Sequence, residues 1–237
     1  MGGMATLPTS TARDPSMGRH WERFAQEDPV HAILALDRPL PEREFLAGGA
    51  PIVEDMMGWA FAGVPRGGLL EIGCGMGRTA VHFASRFERV DAVDVSSHMI
   101  GRARALCAAP NLHFHTTDGS GLAFPDSSMD AVFSFLVLQH IPSEAVLRSL
   151  LREVGRVMRP QARAALQFDT RPRSLLTDLY KSLPDPLLPR KHRRYMRRYR
   201  REPRALERWF REAGLGVVAQ RDPGTDTHFY LLTKGCE

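Results

Sequence analysis

The chain has little of what would place it outside the cell or in a membrane. It has three cysteines, Cys74, Cys107 and Cys236, an odd number at wide spacing. They cannot form a paired disulfide framework or a close-set metal cluster, and they suit a reduced, cytoplasmic compartment. Long apolar runs are also missing. The longest, Ala131 to Leu138, is broken by Ser134 and is far shorter than the ~20 residues that span a bilayer. No apolar stretch follows the start as a secretory signal would require. No internal repeat is present.

What remains is ordinary globular material: 237 residues, 43% hydrophobic and 25% charged. That length holds one α/β domain with extensions and buries a core without covalent staples. The net charge of +5 (32 basic less 27 acidic residues) has a local origin. Residues 190–204, RKHRRYMRRYRREPR, hold nine Lys or Arg against one Glu, a local +8, so the rest sits near −3. One basic segment in a slightly acidic protein suits an anionic small molecule, a nucleic acid or acidic lipid.

Residues 1–16, rich in Gly, Ser, Thr and Pro, read as a disordered lead-in. Residues 17–66 read as an N-terminal helical cap, with Asp28-Pro29 opening one helix and Ile52, Met56, Met57 and Ala60 marking another. From residue 67 strands and helices alternate. Strands are expected at Leu69–Ile72, Val90–Val95, Leu112–Thr117, Ala131–Leu138 and Ala164–Phe168, and near 216–219 and 229–232. Helices are expected at Thr79–Phe87, Ser97–Cys107, from Ser143 to Pro160, and at Pro203–Ala213. This alternation predicts a Rossmann-like, mostly parallel seven-stranded sheet with helices on both faces. Pro184, Pro186 and Pro189 interrupt residues 170–201, which read as an inserted lid after the fifth strand. If the basic segment is helical, His192, Tyr195, Met196 and Tyr199 form one stripe.

Chemistry concentrates in Glu71-Ile72-Gly73-Cys74-Gly75-Met76-Gly77, where a strand ends, glycines allow a tight turn and a helix begins. Backbone there approaches a ligand closely. A dinucleotide site wants a glycine at position 78; this chain has Arg78, with the third glycine one residue early. Asp94 ends the second strand, 21 residues after Gly73, where a carboxylate accepts hydrogen bonds from ribose hydroxyls. Asp118-Gly119 follow the third strand at the same sheet edge. Cys74 reads as a reactive thiol or as a small turn residue, Asp130 as a strand anchor. His140, after the fourth strand, reads as a general base or, with Gln139, as an organiser of its loop.

These residues resemble the class I S-adenosylmethionine-dependent methyltransferases. The likeness rests on Glu71-x-Gly73-x-Gly75-x-Gly77, Val93-Asp94-Val95-Ser96 with Met99, Asp118-Gly119, Asp130-Ala131-Val132, Leu138-Gln139-His140-Ile141 and Arg156-Val157-Met158-Arg159-Pro160. It covers about Leu69 to Pro160. It implies S-adenosylmethionine as cofactor and S-adenosylhomocysteine as product. By resemblance, Glu71, Gly73, Cys74, Gly75 and Gly77 hold the methionine part, and Asp94 holds the ribose. Val95 and Met99 flank the adenine, Asp118 and Gly119 meet its edge, and Phe135 and Leu136 line the pocket. One departure is that Gln161 and Ala162 stand where the family has two glycines. The expected substrate is a small molecule, methylated on oxygen and held, if anionic, by Arg193, Tyr195, Arg197 and Tyr199. No metal or membrane is called for. The competing readings are an RNA methyltransferase with 190–204 as phosphate clamp and a noncatalytic nucleoside-binding subunit.

Overall fold

The computed structural model describes residues 15–34, 40–119, 121–172, 179, 183–188 and 197–235. Its seven strands are β1 (Gly68–Ile72), β2 (Arg89–Asp94), β3 (Leu112–Thr116), β4 (Met129–Ser134), β5 (Met158–Phe168), β6 (Leu215–Arg221) and β7 (His228–Lys234). They form one sheet in the order β3-β2-β1-β4-β5-β7-β6. The first five run parallel, and β7 lies antiparallel between β5 and β6. The order reverses between β1 and β4. In open α/β sheets ligands bind at such a switch point, beyond the carboxyl ends of the strands.

Helices α1 (Pro15–Glu27), α2 (Pro29–Leu34), α3 (Glu42–Ala47) and α4 (Ala50–Trp59) precede the sheet. Among them α5 (Ala80–Phe83), α6 (Ser97–Leu106), α7 (Glu144–Val157) and α8 (Pro203–Glu212) connect the strands. Alternating strand residues feed two apolar cores. Leu70, Val132 and Leu166 face α7 and α8, while Leu69, Phe133 and Ala165 face α4, α5 and α6. Ser143 caps α7 by accepting from the Val146 amide at 3.3 Å, and its apolar residues fall on one buried face. Among the described residues no helix is long and apolar enough to cross a membrane.

Several boundaries differ from the sequence expectation. The chain is already helical at Pro15, inside the expected lead-in, and residues 1–14 lie outside the described residues. The α5 helix is one turn rather than a helix to Phe87. Strand β4 stops at Ser134, because Leu136 adopts φ 61° and turns its amide to the Gln167 Oε1 atom at 2.8 Å. The apolar run beyond it lines a crevice instead of extending the sheet. Asp130 anchors two neighbours, accepting from the Gly68 amide at 2.8 Å and Arg159 at 2.6 Å.

Strand β5 begins at Met158, well before the expected Ala164, through a bulge against β4: Met129 pairs with Met158 but Ala131 with Arg163. Gln161 sits in that bulge at φ 65°, left-handed backbone that a side chain disfavours. This is the position where the resemblance calls for glycine. Gln161 is exposed, so replacing it removes little packing. The Gln161→Gly variant is expected to gain about 1 kcal/mol, read as a melting temperature about 2–4 °C higher. An unchanged or lower melting temperature would show that the bulge carries no such strain.

Candidate functional site

The glycine turn is shaped by what crowds it. After β1, the Gly73 and Cys74 amides both donate to the Val93 carbonyl, at 2.8 and 3.0 Å. Gly73 has φ 77°, and a Cβ there would sit 2.3 Å from Val137 Cγ2. Gly75 has φ 52°, and its Cβ would meet Ile33 Cδ1 at 2.7 Å. The Gly75 amide donates to Asp94 Oδ2 at 2.9 Å, and the Ser96 amide to Asp94 Oδ1 at 2.9 Å. Asp94 therefore ties the β1 turn to the start of α6. Its carboxyl is raised by burial, against the pull of these amides.

These loops wall a crevice at the switch point, with about 1130 Å³ of empty space, its open mouth included. Of the expected residues, Glu71, Gly73, Cys74, Gly75, Asp94, Val95, Met99, Gly119, Phe135, Leu136 and His140 line it together. Two do not. A Cβ on Gly77 would meet Cys107 Sγ and Phe114 at 3.0 Å, so that glycine serves the packing of the turn on α6 and β3. Asp118 is exposed and outside the lining. The Cys74 thiol is buried and pushed well above its usual range, which matches a filling residue and not a nucleophile.

Other lining residues escaped the sequence reading. Met17 and Trp21 come from α1, Ile33 from α2, Arg78 and Thr79 from the end of the glycine turn. Met17 and Trp21 stand four apart on an amphipathic helix, and that spacing was the available signal. Helix α1 is clasped to α6: Glu22 accepts from Ser96 Oγ at 2.7 Å, Ser97 Oγ at 3.0 Å and the His98 amide at 3.3 Å. A carboxylate at a helix N-terminus is favoured.

His140 lies at the crevice wall, edge-on to Trp21 with ring centroids 5.3 Å apart. Its Nδ1 lies 3.2 Å from the Arg197 carbonyl, which only accepts, so Nδ1 carries the proton. Nε2 then accepts from the Gln139 amide at 3.3 Å. Gln139 Oε1 accepts from Gln167 at 3.1 Å, completing a one-way chain from the Leu136 amide to the Arg197 carbonyl. Burial lowers the imidazole pKa to about 4, with Arg198 adding to the effect. Arg193 and Tyr195 lie outside the described residues. Arg197 and Tyr199 do not line the crevice. They belong to a non-helical strap over residues 197–202, not to a helical stripe. The Tyr199 and Arg201 amides go to the carbonyls of Gln139, at 2.7 Å, and Asp169, at 2.8 Å, and not to a preceding helical turn.

The family described as a methyltransferase domain matches residues 69–161. The chain carries a class I S-adenosylmethionine-dependent methyltransferase domain. It is 31% identical over 103 residues to 27-O-demethylrifamycin SV methyltransferase of Amycolatopsis mediterranei, covering 41% of this chain and 37% of that protein. It is 28% identical over 123 residues to demethylmenaquinone methyltransferase of Tropheryma whipplei, covering 52% and 50%. The match thus spans half or less of these relatives. In fold, the domain resembles magnesium protoporphyrin IX methyltransferase from Synechocystis PCC 6803 with bound S-adenosylhomocysteine. The TM-score is 0.65 at 19% identity, over 94% of this chain and 100% of that one.

At the floor of the methyltransferase crevice, Glu71 is 4% exposed. Thr79 Oγ1 donates to its Oε1 at 2.5 Å, and Oε2 has no partner. Burial pushes this carboxyl from the ordinary 4.5 to about 7. The folded protein then holds a proton that the unfolded chain has released. Stability should therefore fall as pH rises from about 4.5 through about 7, by about 3 kcal/mol. In Glu71→Gln this component disappears. Thermal melts between pH 5 and pH 8 should show a shallower decline for the variant than for the wild type; parallel curves would refute the assignment.

Proposed function

We propose that the protein transfers a methyl group from S-adenosylmethionine to an oxygen of a small, anionic acceptor. The observation that carries the reading is the crevice itself. A glycine turn pinned by Asp94 faces an apolar wall of Phe135, Leu136 and Val137, under α1. The sulfonium is intrinsically reactive, so the protein's task is to align nucleophile, methyl carbon and sulfur and to exclude water. Such alignment supplies on the order of 7–11 kcal/mol. Asp94 would take the ribose, Val95 and Met99 the adenine faces, and Gly73 and Gly75 the approach of the methionine tail. The Amycolatopsis relative and O-methyltransferase rstn1 of Aspergillus nomiae, 29% identical over 103 residues, support an oxygen acceptor.

His140 fits this scheme as a positioning residue. Both ring nitrogens are engaged within the protein, and the ring is neutral at any pH well above about 4. An acceptor that is already an anion needs no base. The basic segment continues directly into the strap that holds His140, which supports Arg193 and Arg197 as its anchor.

The test supplies methyl-labelled S-adenosylmethionine and a source-cell extract, then separates small molecules, RNA and protein. Label in the small-molecule fraction, insensitive to nuclease, is the expected result; label in RNA would overturn it in favour of a phosphate clamp. With the acceptor in hand, Arg193→Ala with Arg197→Ala should raise its KM at least tenfold. Any inflection of kcat between pH 5 and 8 should persist in His140→Gln, because the imidazole is already neutral there. An inflection near 6.5 that vanishes in His140→Gln would make His140 the base after all.

A further inference from the structure

A second cavity opens where the segment after β5, the strap and the start of α8 meet. It has about 840 Å³ of empty space, its open mouth included, and shares no lining residue with the crevice. One wall is cationic, formed by Arg171, Arg200 and Arg201. Arg171 is held by Asp169 at 2.6 Å. Arg201, its side chain 7% exposed, donates to the carbonyls of Ile141 at 2.7 Å and Pro142 at 3.1 Å. Arg200 differs from both. Its Nη1 donates to the Pro172 carbonyl at 2.7 Å, and its Nε is buried without a partner. Among the described residues no carboxylate pairs with it. A buried guanidinium donor left unbonded is costly. Helix α8 opens on the same cavity through Glu202, Pro203 and Ala205, and no side chain caps its first turn. Both features favour an anion. The two carboxylates in the lining, Glu144 and Glu202, are exposed. Pro172, Pro203 and Trp209 supply an apolar wall.

We infer that this cavity is a second ligand site, for a small molecule bearing a carboxylate or phosphate group on an apolar body. The oxyanion gives Arg200 the acceptor that its Nε lacks, in a charge-assisted and often bidentate contact, and faces the first turn of α8. The apolar body lies against Trp209. An apolar lining with a few convergent polar groups is the usual make-up of such a site. The cavity also has a route to the crevice. Arg201 reaches from it to the Ile141 carbonyl, and the Tyr199 amide binds the Gln139 carbonyl. Arg200 stands between these two strap residues, and His140 and Ile141 line the crevice. A ligand held by Arg200 therefore braces the strap against the loop that carries His140.

The test is calorimetric titration at fixed ionic strength with phenyl phosphate, benzoate and inorganic phosphate. Wild-type protein should bind one phenyl phosphate or one benzoate per chain, and the tighter of the two names the head group. Inorganic phosphate, which lacks the apolar body, should bind less tightly than phenyl phosphate. Arg200→Met should weaken the tighter ligand about ten- to a hundredfold, the range of a charged hydrogen bond. Arg200→Lys keeps the charge, loses Nε and should weaken it less. That variant carries the comparison if Arg200→Met does not fold, and wild-type affinity in it would overturn the inference. Arg204→Met removes an exposed arginine outside the lining and should change nothing. On binding, hydrogen exchange at the Tyr199 and Arg201 amides should slow; unchanged exchange would overturn the brace. The site itself fails if wild-type protein binds none of the three probes. It fails too if Arg204→Met weakens them as much as Arg200→Met, since the attraction is then diffuse. Equal weakening in Arg193→Ala with Arg197→Ala would move the probe to the proposed acceptor anchor and also overturn it.

Discussion

The carboxylate of Asp94 is the constraint on which the site depends. It takes the Gly75 amide on one oxygen and the Ser96 amide on the other. It thereby fixes the distance between the β1 turn and the α6 start. Both loops are crevice walls, so loss of that tie would release two walls at once. A carboxylate offers about four acceptor positions. Two amides leave room for ribose hydroxyls without displacing the structural bonds. The same side chain can thus hold the crevice in shape and, under the proposed function, take part in binding the ribose. Its carboxyl lies above the usual range because burial outweighs the amides, and hydroxyl donors arriving with a ligand would act in the opposite direction.

The closure by α1 is built on the same corner. Ser96 caps α6 by accepting from the Met99 amide at 3.1 Å, while its hydroxyl donates to Glu22. The crevice loop that follows β2 is therefore also the loop that holds the cover. Met17 and Trp21 project from that cover into the crevice, and Trp21 continues to His140. From there the chain of amides through Gln139 and Gln167 reaches β5. One connected set of contacts thus joins the N-terminal helix to the sheet across the crevice.

The order of strands and helices was legible in the sequence because each element declares itself locally, by period, cap or glycine. Ser143 stands at the start of α7, where the sequence placed it. The glycine turn and Asp94 were legible for the same reason: they are local motifs at a fixed separation. Arg78 and Ile33 were not recognised, because their place at the crevice depends on how α2 and the glycine turn dock against each other. The β4 run misled for a physical reason. Apolar residues lining a ligand crevice and apolar residues in a buried strand share one composition, and only the left-handed Leu136 marks the difference. The basic segment misled at Tyr199, since its amide partner is the carbonyl of Gln139, distant in sequence, and not a residue of a preceding helical turn.

The displaced glycine explains the chemistry of the turn better than its count does. In a dinucleotide site the third glycine lets helix and strand pack closely while the pyrophosphate lies against bare backbone. Here the packing duty falls on Gly77, whose missing Cβ leaves room for Cys107 and Phe114. Position 78 is thereby released from it, and its side chain reaches the crevice. A residue earlier, the same arginine would collide with α6 and β3. A residue later, it would replace Thr79 and take away the hydroxyl that donates to Glu71. Shifting one glycine by one place thus removes the cradle for a pyrophosphate and puts a cation at the crevice wall, opposite in charge to the glutamate that opens the turn.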